Sequence, residues 1–236
     1  MLNPESLISL VTLIALEVIL GIDNIIFIAI LSDRLPDDQR DKLRYLGISL
    51  AMIMRLVLLS LIAWVMRLEI ILFYIGSNGL SGKDLILIAG GLFLIYKSTS
   101  EIFYKTEKSD HPAEIHSKKA SFKNLLIQIL LLDMVFSLDS IITAVGMVNE
   151  LWIMYTAVVV AVGIMLFAAR PISNFIIRHP SFKILALCFL IMIGMSLISE
   201  GFDYKIPKDN IYFAMVFSFV VNVIQMRSAQ KVTNVK

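Results

Sequence analysis

Apolar residues run almost without interruption through seven stretches of the 236-residue chain, and charged or polar segments separate these stretches. A helix that crosses a bilayer needs about 20 consecutive, mainly apolar residues. The pattern therefore predicts an all-α membrane protein with seven transmembrane helices. Their predicted bounds are 6–32, 45–66, 84–100, 124–148, 151–172, 183–201 and 210–226.

Residues 69–82 (EIILFYIGSNGLSG) lie between the second and third predicted helices. The segment is too short, and too rich in Gly, Ser and Asn, for a full span. We interpret it as an interfacial or re-entrant stretch, with an ordinary outer loop as the alternative.

Composition agrees with a membrane protein, because 58% of the residues are hydrophobic and the mean hydropathy is +0.83. These values exclude a water-soluble enzyme. We expect the lipid bilayer and no nucleic acid among the partners. The single cysteine, Cys188, excludes a disulfide framework and a CxxC metal site. It lies in an apolar stretch, where we expect it to pack in the core.

Two of the apolar stretches repeat one pattern of acidic, small polar and isoleucine residues. They are residues 17–31 (EVILGIDNIIFIAIL) and 133–147 (DMVFSLDSIITAVGM), which are offset by 116 positions. The offset aligns Glu17 with Asp133, Asp23 with Asp139, and Asn24 with Ser140. The chain is therefore predicted to consist of two related halves.

Acidic residues in the middle of a membrane helix are costly. Each Asp opposes insertion by roughly 2.5 to 3.5 kcal/mol, so the three Asp residues together cost about 8 to 10 kcal/mol. A purely structural alternative is that the acids pair with a base or stay protonated to lock the helices together. Arg55 is the only candidate base in mid-membrane, and one arginine cannot neutralise four carboxylates. We therefore favour a functional role for the acids, with Arg55 beside the ligands as a counter-ion or a substrate contact.

Helical periodicity places polar residues on one face of each repeated helix. At 100° per residue the two faces are Glu17, Gly21, Asn24 and Asp133, Ser137, Ser140. The small residues Gly21 and Ser137 would let the two helices cross closely and gather four carboxylates. Oxygen ligands without thiol or imidazole favour Mn, Mg or Ca over Zn or Cu. The predicted ligands are Glu17, Asp23, Asn24, Asp133, Asp139 and Ser140, with Arg55, Gly21, Ser137 and Asn222 around them.

The distribution of Lys and Arg predicts the orientation, because cytoplasmic loops retain positive charge. With the N-terminus outside, sixteen of the 21 basic residues face the cytoplasm and four face outward. The repeated helices then run in opposite directions, which predicts an inverted repeat. The predicted organisation is repeat one at about 1–100, a cytoplasmic linker at about 101–123, repeat two at about 124–203, and a seventh helix at about 210–226.

Other polar residues are weaker candidates. His111 and His116 in the linker lack a specific metal-ligand spacing and are typical of a solvated loop. Asn222 and Gln225 share a face of the seventh helix and fit helix packing as well as an accessory ligand. The twelve Met residues are scattered along the chain, which disfavours a Cu(I) pathway.

The segments EVILGIDN (17–24), LLDMVFSLDSI (131–141) and SEGFDYKIPKDNIYFAMVFSFVVNVIQMR (199–227) resemble the TerC family of bacterial integral membrane proteins. The resemblance covers nearly the whole chain and implies membership of the lysine-exporter superfamily. It implies manganese efflux, with some members linked to tellurite resistance, alkaline pH response or metal supply to exported enzymes. By position, the acidic motifs of the family match Glu17, Asp23, Asn24, Asp133 and Asp139. Many relatives have Glu and Asn where this chain has Asn222 and Gln225, so a carboxylate role for the last helix does not carry over.

Three classes of function are considered. A divalent cation exporter of the bacterial cytoplasmic membrane, with Mn²⁺ as transported ion, no tightly bound cofactor and exchange for protons, explains all four acids. A membrane scaffold that supplies metal to exported proteins is the alternative. An intramembrane aspartyl protease is disfavoured, because the sequences before Asp23 and Asp139 differ from the motifs of such enzymes. We therefore expect a transporter and not an enzyme.

Overall fold

A computed structural model describes residues 4–75, 78–106, 121–148, 150–204 and 206–233. Its helices are α1 (Pro4–Ser32), α2 (Asp37–Ser60), α3 (Ile62–Val65), α4 (Gly82–Thr106), α5 (Phe122–Met147), α6 (Leu151–Arg178), α7 (Pro180–Glu200) and α8 (Lys208–Thr233). Within this described part of the chain, seven helices, all except α3, are long and apolar enough to cross a membrane. The prediction of seven spanning helices is confirmed.

Each of the seven spanning helices extends beyond its predicted bounds at one end or both, most clearly α2, α4, α6 and α8, and α2 ends at Ser60 rather than at 66. Helix α2 begins at Asp37 rather than 45, directly after Pro36, and carries Asp37 and Asp38 in its first turn. Acidic side chains stabilise the positive end of a helix, so a polar start continues the helix outside its apolar part. Helix α6 continues through Pro171 to Arg178 instead of ending at 172. Hydropathy reports the apolar length of a helix and not its full length.

The segment between α3 and α4 contains two paired strands. A 3₁₀ turn at Met66–Glu69 leads into strands β1 (Ile71–Ile75) and β2 (Asn78–Ser81). The strands pair antiparallel, with Tyr74 opposite Gly79. The pairing satisfies backbone groups that an irregular loop would leave to water. The sequence did not predict these strands, and the interfacial or re-entrant position of residues 69–82 stays a prediction.

Helix α4 begins with a reciprocal cap formed by Ser81 and Asp84. The Asp84 backbone N–H donates to Ser81 Oγ at 3.2 Å, and the Ser81 N–H donates to Asp84 Oδ2 at 2.8 Å. Both groups thereby satisfy donors that the first turn of a helix leaves unpaired. The cap explains why the helix starts directly after the hairpin.

The described residues divide into two compact units. The described residues of the first unit lie within 4–86 and 121–177, and its helices α1, α2 and α5 pack against one another. Its apolar cluster includes Leu13, Leu58, Leu59, Leu138, Ile141, Met154 and Ala157. The described residues of the second unit lie within 87–106 and 178–233. These units combine helices of both predicted repeats, and the inverted repeat stays a prediction.

Arginine side chains fix the turn between α1 and α2. Arg40 Nε donates to the Leu35 carbonyl at 2.9 Å. Arg44 is buried and donates to Ser32 Oγ at 3.1 Å and to Asp41 Oδ1 at 2.7 Å. These bonds hold the two helices that carry Glu17 and Arg55 at a defined separation.

In the second unit, α4 and α7 approach at two glycines. A Cβ atom on Gly91 would lie 2.5 Å from the Gly194 carbonyl oxygen, and one on Gly194 would lie 2.8 Å from the Gly91 oxygen. Such close backbone contact is typical of helix crossings in membranes. Helix α7 also contacts α8, where the rings of Phe182 and Phe219 lie 5.0 Å apart.

Candidate ion-binding site

The polar face predicted for α1 is buried in the first unit. Glu17, Gly21, Asn24 and the adjacent Asp23 all belong to the buried part of this helix. The helix continues through these polar positions without a break, because an α-helix makes its backbone hydrogen bonds within itself. Four polar or small positions therefore lie inside an otherwise apolar packing layer.

Helix α5 presents the matching face from the other motif. Asp133, Ser137 and Ser140 are buried along with Asp139. Ser137 Oγ donates to Asp133 Oδ2 at 3.1 Å, and Ser140 Oγ donates to the Ser137 carbonyl at 3.2 Å. The serine at the predicted crossing point therefore orients a carboxylate, besides being small.

Arg55 of α2 joins the two motifs. The residue is only 3% exposed. Nη1 donates to Glu17 Oε2, Nη2 donates to Asp133 Oδ1 at 3.1 Å, and Nε donates to Ser137 Oγ at 3.0 Å. One guanidinium thus bridges the first acids of the two repeated motifs. We call Glu17, Arg55, Asp133, Asn24 and Ser137 the bridged network.

Asn24 completes the environment of Asp133. Its Nδ2 donates to Asp133 Oδ1 at 3.1 Å, so that oxygen accepts from both Asn24 and Arg55. With the bond from Ser137, the Asp133 carboxylate accepts three hydrogen bonds. Three donors around one buried carboxylate fix its orientation.

The four predicted carboxylates do not gather at one point. Asp23 and Asp139 are 6% and 7% exposed, at positions next to the polar faces. Among the residues that the structure describes, no three His, Cys, Asp or Glu side chains lie close enough together to hold a metal ion. The physical reason is charge: Arg55 lies between Glu17 and Asp133, and clustered buried anions without a cation would repel one another.

A small cavity adjoins the bridged network. Its volume is about 20 Å³, which is room for one water-sized particle. The lining surface is almost entirely apolar, and the lining residues are Asn24, Ile25, Ile28, Ile48, Ala51, Met52, Arg55, Asp133, Val162 and Met165. The lining residues of α1 begin at Asn24 and continue to Ile28, and those of α2 end at Arg55, so the cavity lies toward the turn between those helices. The apolar cluster, with Leu13, Leu58 and Ile141, lies on the opposite side of the network.

Gly21 serves a different contact from the one predicted. We expected it to permit a close crossing of the two repeated helices. Instead, Met165 of α6 lies over it, and a Cβ atom on Gly21 would be 2.4 Å from Met165 Sδ. Sequence reasoning missed Met165 because its position depends on how α6 packs, and no local motif marks it.

The remaining candidates lie elsewhere. Asn222 belongs to the second unit, where its Oδ1 accepts a hydrogen bond from Ser181 Oγ at 3.2 Å. This bond joins α8 to α7 and favours packing for Asn222. Cys188 is exposed on α7 rather than packed in the core, because it lies outside the buried stripe of that helix. His111 and His116 lie outside the described residues.

Apolar helices of membrane-spanning length that enclose a bridged pair of acids define a multi-pass membrane protein with a polar site inside its helices. The sequence matches the family described as "Integral membrane protein TerC family" over residues 2–236. The chain therefore belongs to the TerC family.

Curated relatives agree with this assignment. A UPF0053 protein of Haemophilus influenzae is 54% identical over 225 residues, covering 95% of each chain. The UPF0053 inner membrane protein YgdQ of Escherichia coli is 50% identical over 224 residues, covering 95% of this chain and 94% of YgdQ. The inner membrane protein YoaE of Escherichia coli is 49% identical over 223 residues, which are 94% of this chain but only 43% of YoaE. No solved structure matches the chain. The chain is a multi-pass protein of the inner membrane, as its relatives are named.

Proposed function

We propose that this protein transports a divalent metal cation across the inner membrane, with Mn²⁺ as the favoured ion. The observation that carries the proposal is the bridged network, in which Arg55 holds Glu17 and Asp133 inside apolar helices, with Asp133 at the edge of a small cavity. Buried charges in membrane helices cost free energy and mark ion or substrate pathways. Carboxylate and amide oxygens suit Mn²⁺, Mg²⁺ and Ca²⁺. Membership of the TerC family, for which the resemblance implies manganese efflux, supports the choice of Mn²⁺.

Arg55 is the counter-ion of the empty site in this proposal. An arriving cation competes with the guanidinium for Asp133 Oδ1, the oxygen that Arg55 and Asn24 share. Displacement of Arg55 toward Glu17 would free the Asp133 oxygen for the metal while the arginine keeps one partner. The ion then replaces one buried charge interaction by another, which avoids leaving a carboxylate unpaired.

The position of the cavity supports efflux. It lies on the side of the network that faces the turn between α1 and α2, while apolar residues cover the other side. The charge bias of the loops predicts that this turn is cytoplasmic. An ion entering the cavity would therefore arrive from the cytoplasm.

Proton exchange is the proposed coupling. Glu17, Asp23, Asp133 and Asp139 are buried, and Arg55 is the buried cation of the bridged network. Full ionisation would leave an excess of three negative charges, and a divalent cation compensates only two of them. Proton uptake on these acids when the metal leaves would balance the empty site.

The bond between Asn24 and Asp133 supports the inverted repeat. Asn24 follows Gly21 by three residues, whereas Asp133 precedes Ser137 by four. Gly21 and Ser137 are equivalent positions of the repeated motif. A contact between a residue after one of them and a residue before the other fits two helices that run in opposite directions.

Epitope tags at Met1 or near Lys205 should therefore label from outside intact cells, and tags near Lys118 or Lys236 should not. Labelling of the Met1 and Lys118 tags from the same side would exclude the inverted arrangement.

Metal flux into liposomes that contain the purified protein tests the proposal. Asp133→Asn keeps the side-chain volume and removes the charge, so it should lower Mn²⁺ flux by about tenfold or more, as should Asp23→Asn and Asp139→Asn. Glu150→Gln is the matched control, because Glu150 is exposed and lies outside the buried faces. All variants should insert at wild-type levels.

The flux assay also distinguishes the alternatives. Flux that survives Asp23→Asn and Asp139→Asn would contradict their role as ligands. A wild-type protein that moves no divalent ion in liposomes would favour a scaffold that supplies metal to exported proteins. An imposed pH gradient at fixed membrane potential should drive metal toward the acidic side. If flux ignores the gradient, then Arg55 rather than protons balances the empty site.

A further inference from the structure

Strand β1 exposes apolar side chains although it is not part of a spanning helix. Residues 70–74 (IILFY) are apolar or aromatic, and all of them are exposed. Leu72 and Tyr74 are the most exposed, at 63% and 68%. In water, a strand with such a surface invites pairing and aggregation, so soluble proteins cover or charge it. The strand therefore requires an apolar partner.

The protein covers one part of the hairpin and leaves another part open. Leu80 of β2 lies opposite Phe73 and is only 2% exposed, so the sheet packs on the protein at this pair. Tyr74 lies opposite Gly79, which has no side chain to cover the ring. A two-stranded hairpin is marginally stable in water without further packing. The exposed side of β1 is thus the part that still needs a partner.

The bilayer is continuous with this surface. Strand β2 ends at Ser81, and the spanning helix α4 begins at the next residue. Exposed apolar residues flank the hairpin, with Leu61 directly after α2 and Leu85 in the first turn of α4. Because α2 and α4 cross the membrane, the hairpin between them lies where lipid is the nearest apolar phase.

The depth of the hairpin is limited by its backbone and its charges. In the described part of the chain the sheet has two strands, so each strand has an open edge. Open sheet edges that face lipid do not occur in the hydrocarbon region, whereas water in the headgroup layer satisfies them. At the base of the hairpin, Lys83 Nζ lies 3.9 Å from Glu69 Oε1, and Arg67 is exposed. These charges also fit the headgroup layer and not the bilayer interior.

We propose that the hairpin formed by β1 and β2 is a lipid-binding element that lies in the headgroup layer, with Leu72 and Tyr74 in contact with the acyl chains. Tyrosine is enriched at this depth, because its ring is apolar and its hydroxyl reaches water. The partner is phospholipid, and the contact shields the apolar strand from other chains. The inference does not depend on the proposed transport of a metal ion.

Depth-dependent quenching of a fluorophore tests the inference. A thiol-reactive fluorophore is attached to Leu72→Cys or Tyr74→Cys in the full chain, in which Cys188→Ala removes the exposed native thiol. Single chains are placed in nanodiscs of phosphatidylcholine and phosphatidylglycerol, so that a second copy cannot cover the hairpin. The quenchers are aqueous iodide, a lipid with a nitroxide near the headgroups, and a lipid with a nitroxide deep in the acyl chains.

Two reference positions calibrate the quenchers. Phe167→Cys reports the acyl-chain region, because Phe167 is 87% exposed on the spanning helix α6. Asp38→Cys reports water, because Asp38 is exposed in the polar first turn of α2. Iodide should quench the strand positions about fivefold less than Asp38→Cys, because an interfacial element lies about 5 to 10 Å into the headgroup boundary. The shallow nitroxide should quench the strand positions more than the deep one, and this order should reverse at Phe167→Cys.

Each other outcome would overturn the inference in a recognisable way. Iodide quenching as strong as at Asp38→Cys would place the hairpin in water. Stronger quenching by the deep nitroxide, as at Phe167→Cys, would identify a re-entrant segment. Protection from iodide without quenching by either lipid would mean that protein covers the strand. These results do not involve metal flux, so this inference and the proposed function fail separately.

Discussion

Replacement of Arg55 by methionine should destabilise the protein strongly. The substitution keeps much of the apolar stem and removes the guanidinium that donates to Glu17, Asp133 and Ser137. Both carboxylates then stay buried without their shared cation. Removing one partner of a buried ion pair costs about 3 to 5 kcal/mol, mainly because of the charge left behind.

The expected shift in unfolding temperature follows from this cost. A change of 1 kcal/mol moves the midpoint by about 2 to 4 °C in a chain of this size, so Arg55→Met should unfold about 6 to 20 °C below wild type. Glu17→Gln should cost less, about 1.5 to 3 kcal/mol, since Arg55 keeps its bonds to Asp133 and Ser137. The triple variant Glu17→Gln, Arg55→Met, Asp133→Asn carries no uncompensated charge at these positions. It should recover most of the loss.

Thermal unfolding in detergent, followed by size-exclusion chromatography of the heated samples, measures these differences. Arg67→Met is the control, because Arg67 is an exposed arginine and its replacement should shift the midpoint by less than about 2 °C. An Arg55→Met midpoint within that range of wild type would refute the counter-ion role. A triple variant as unstable as Arg55→Met would show that the loss comes from packing and not from charge.

The remaining predictions concern close contacts. Gly21→Ala places a Cβ atom 2.4 Å from Met165 Sδ and should cost about 1 to 3 kcal/mol in thermal unfolding, with partial recovery in the double variant that also carries Met165→Ala. Gly91→Ala, 2.5 Å from the Gly194 carbonyl oxygen, should cost a similar amount, and Met165→Ala should not rescue it, because the obstacle is backbone. Ser81→Ala should cost about 0.5 to 2 kcal/mol by removing the cap of α4, and Ser81→Thr should retain most of that stability.

The seven spanning helices were predictable because bilayer thickness sets a minimum apolar length that the sequence displays directly. The start of α2 was not predictable, because residues 37–44 are helical although they form a polar stretch that hydropathy assigns to a loop. The hairpin at Ile71–Ser81 was missed for a related reason: its strand β1 is short and continuously apolar, so its pattern does not distinguish a strand from a buried helix segment.

Helical periodicity also predicted part of the site. It predicted that Glu17, Gly21 and Asn24 share one face of α1, and all three residues are buried. The bridge made by Arg55 and the position of Met165 could not be read from periodicity, because both depend on contacts between residues far apart in sequence. A lone arginine in an apolar helix signals that a buried anion is near, but it does not identify which of four acids it will contact.

The two equivalent acids of the bridged network accept different numbers of hydrogen bonds. Glu17 and Asp133 occupy the same position in the repeated motif, yet among the described residues one hydrogen bond reaches Glu17 and three reach Asp133. Withdrawal of Glu17 therefore breaks a single contact, whereas withdrawal of Asp133 breaks three. If the site exchanges ligands as proposed, this difference predicts an order: Asp133 stays as the anchor of the site, and Glu17 is the acid that moves first.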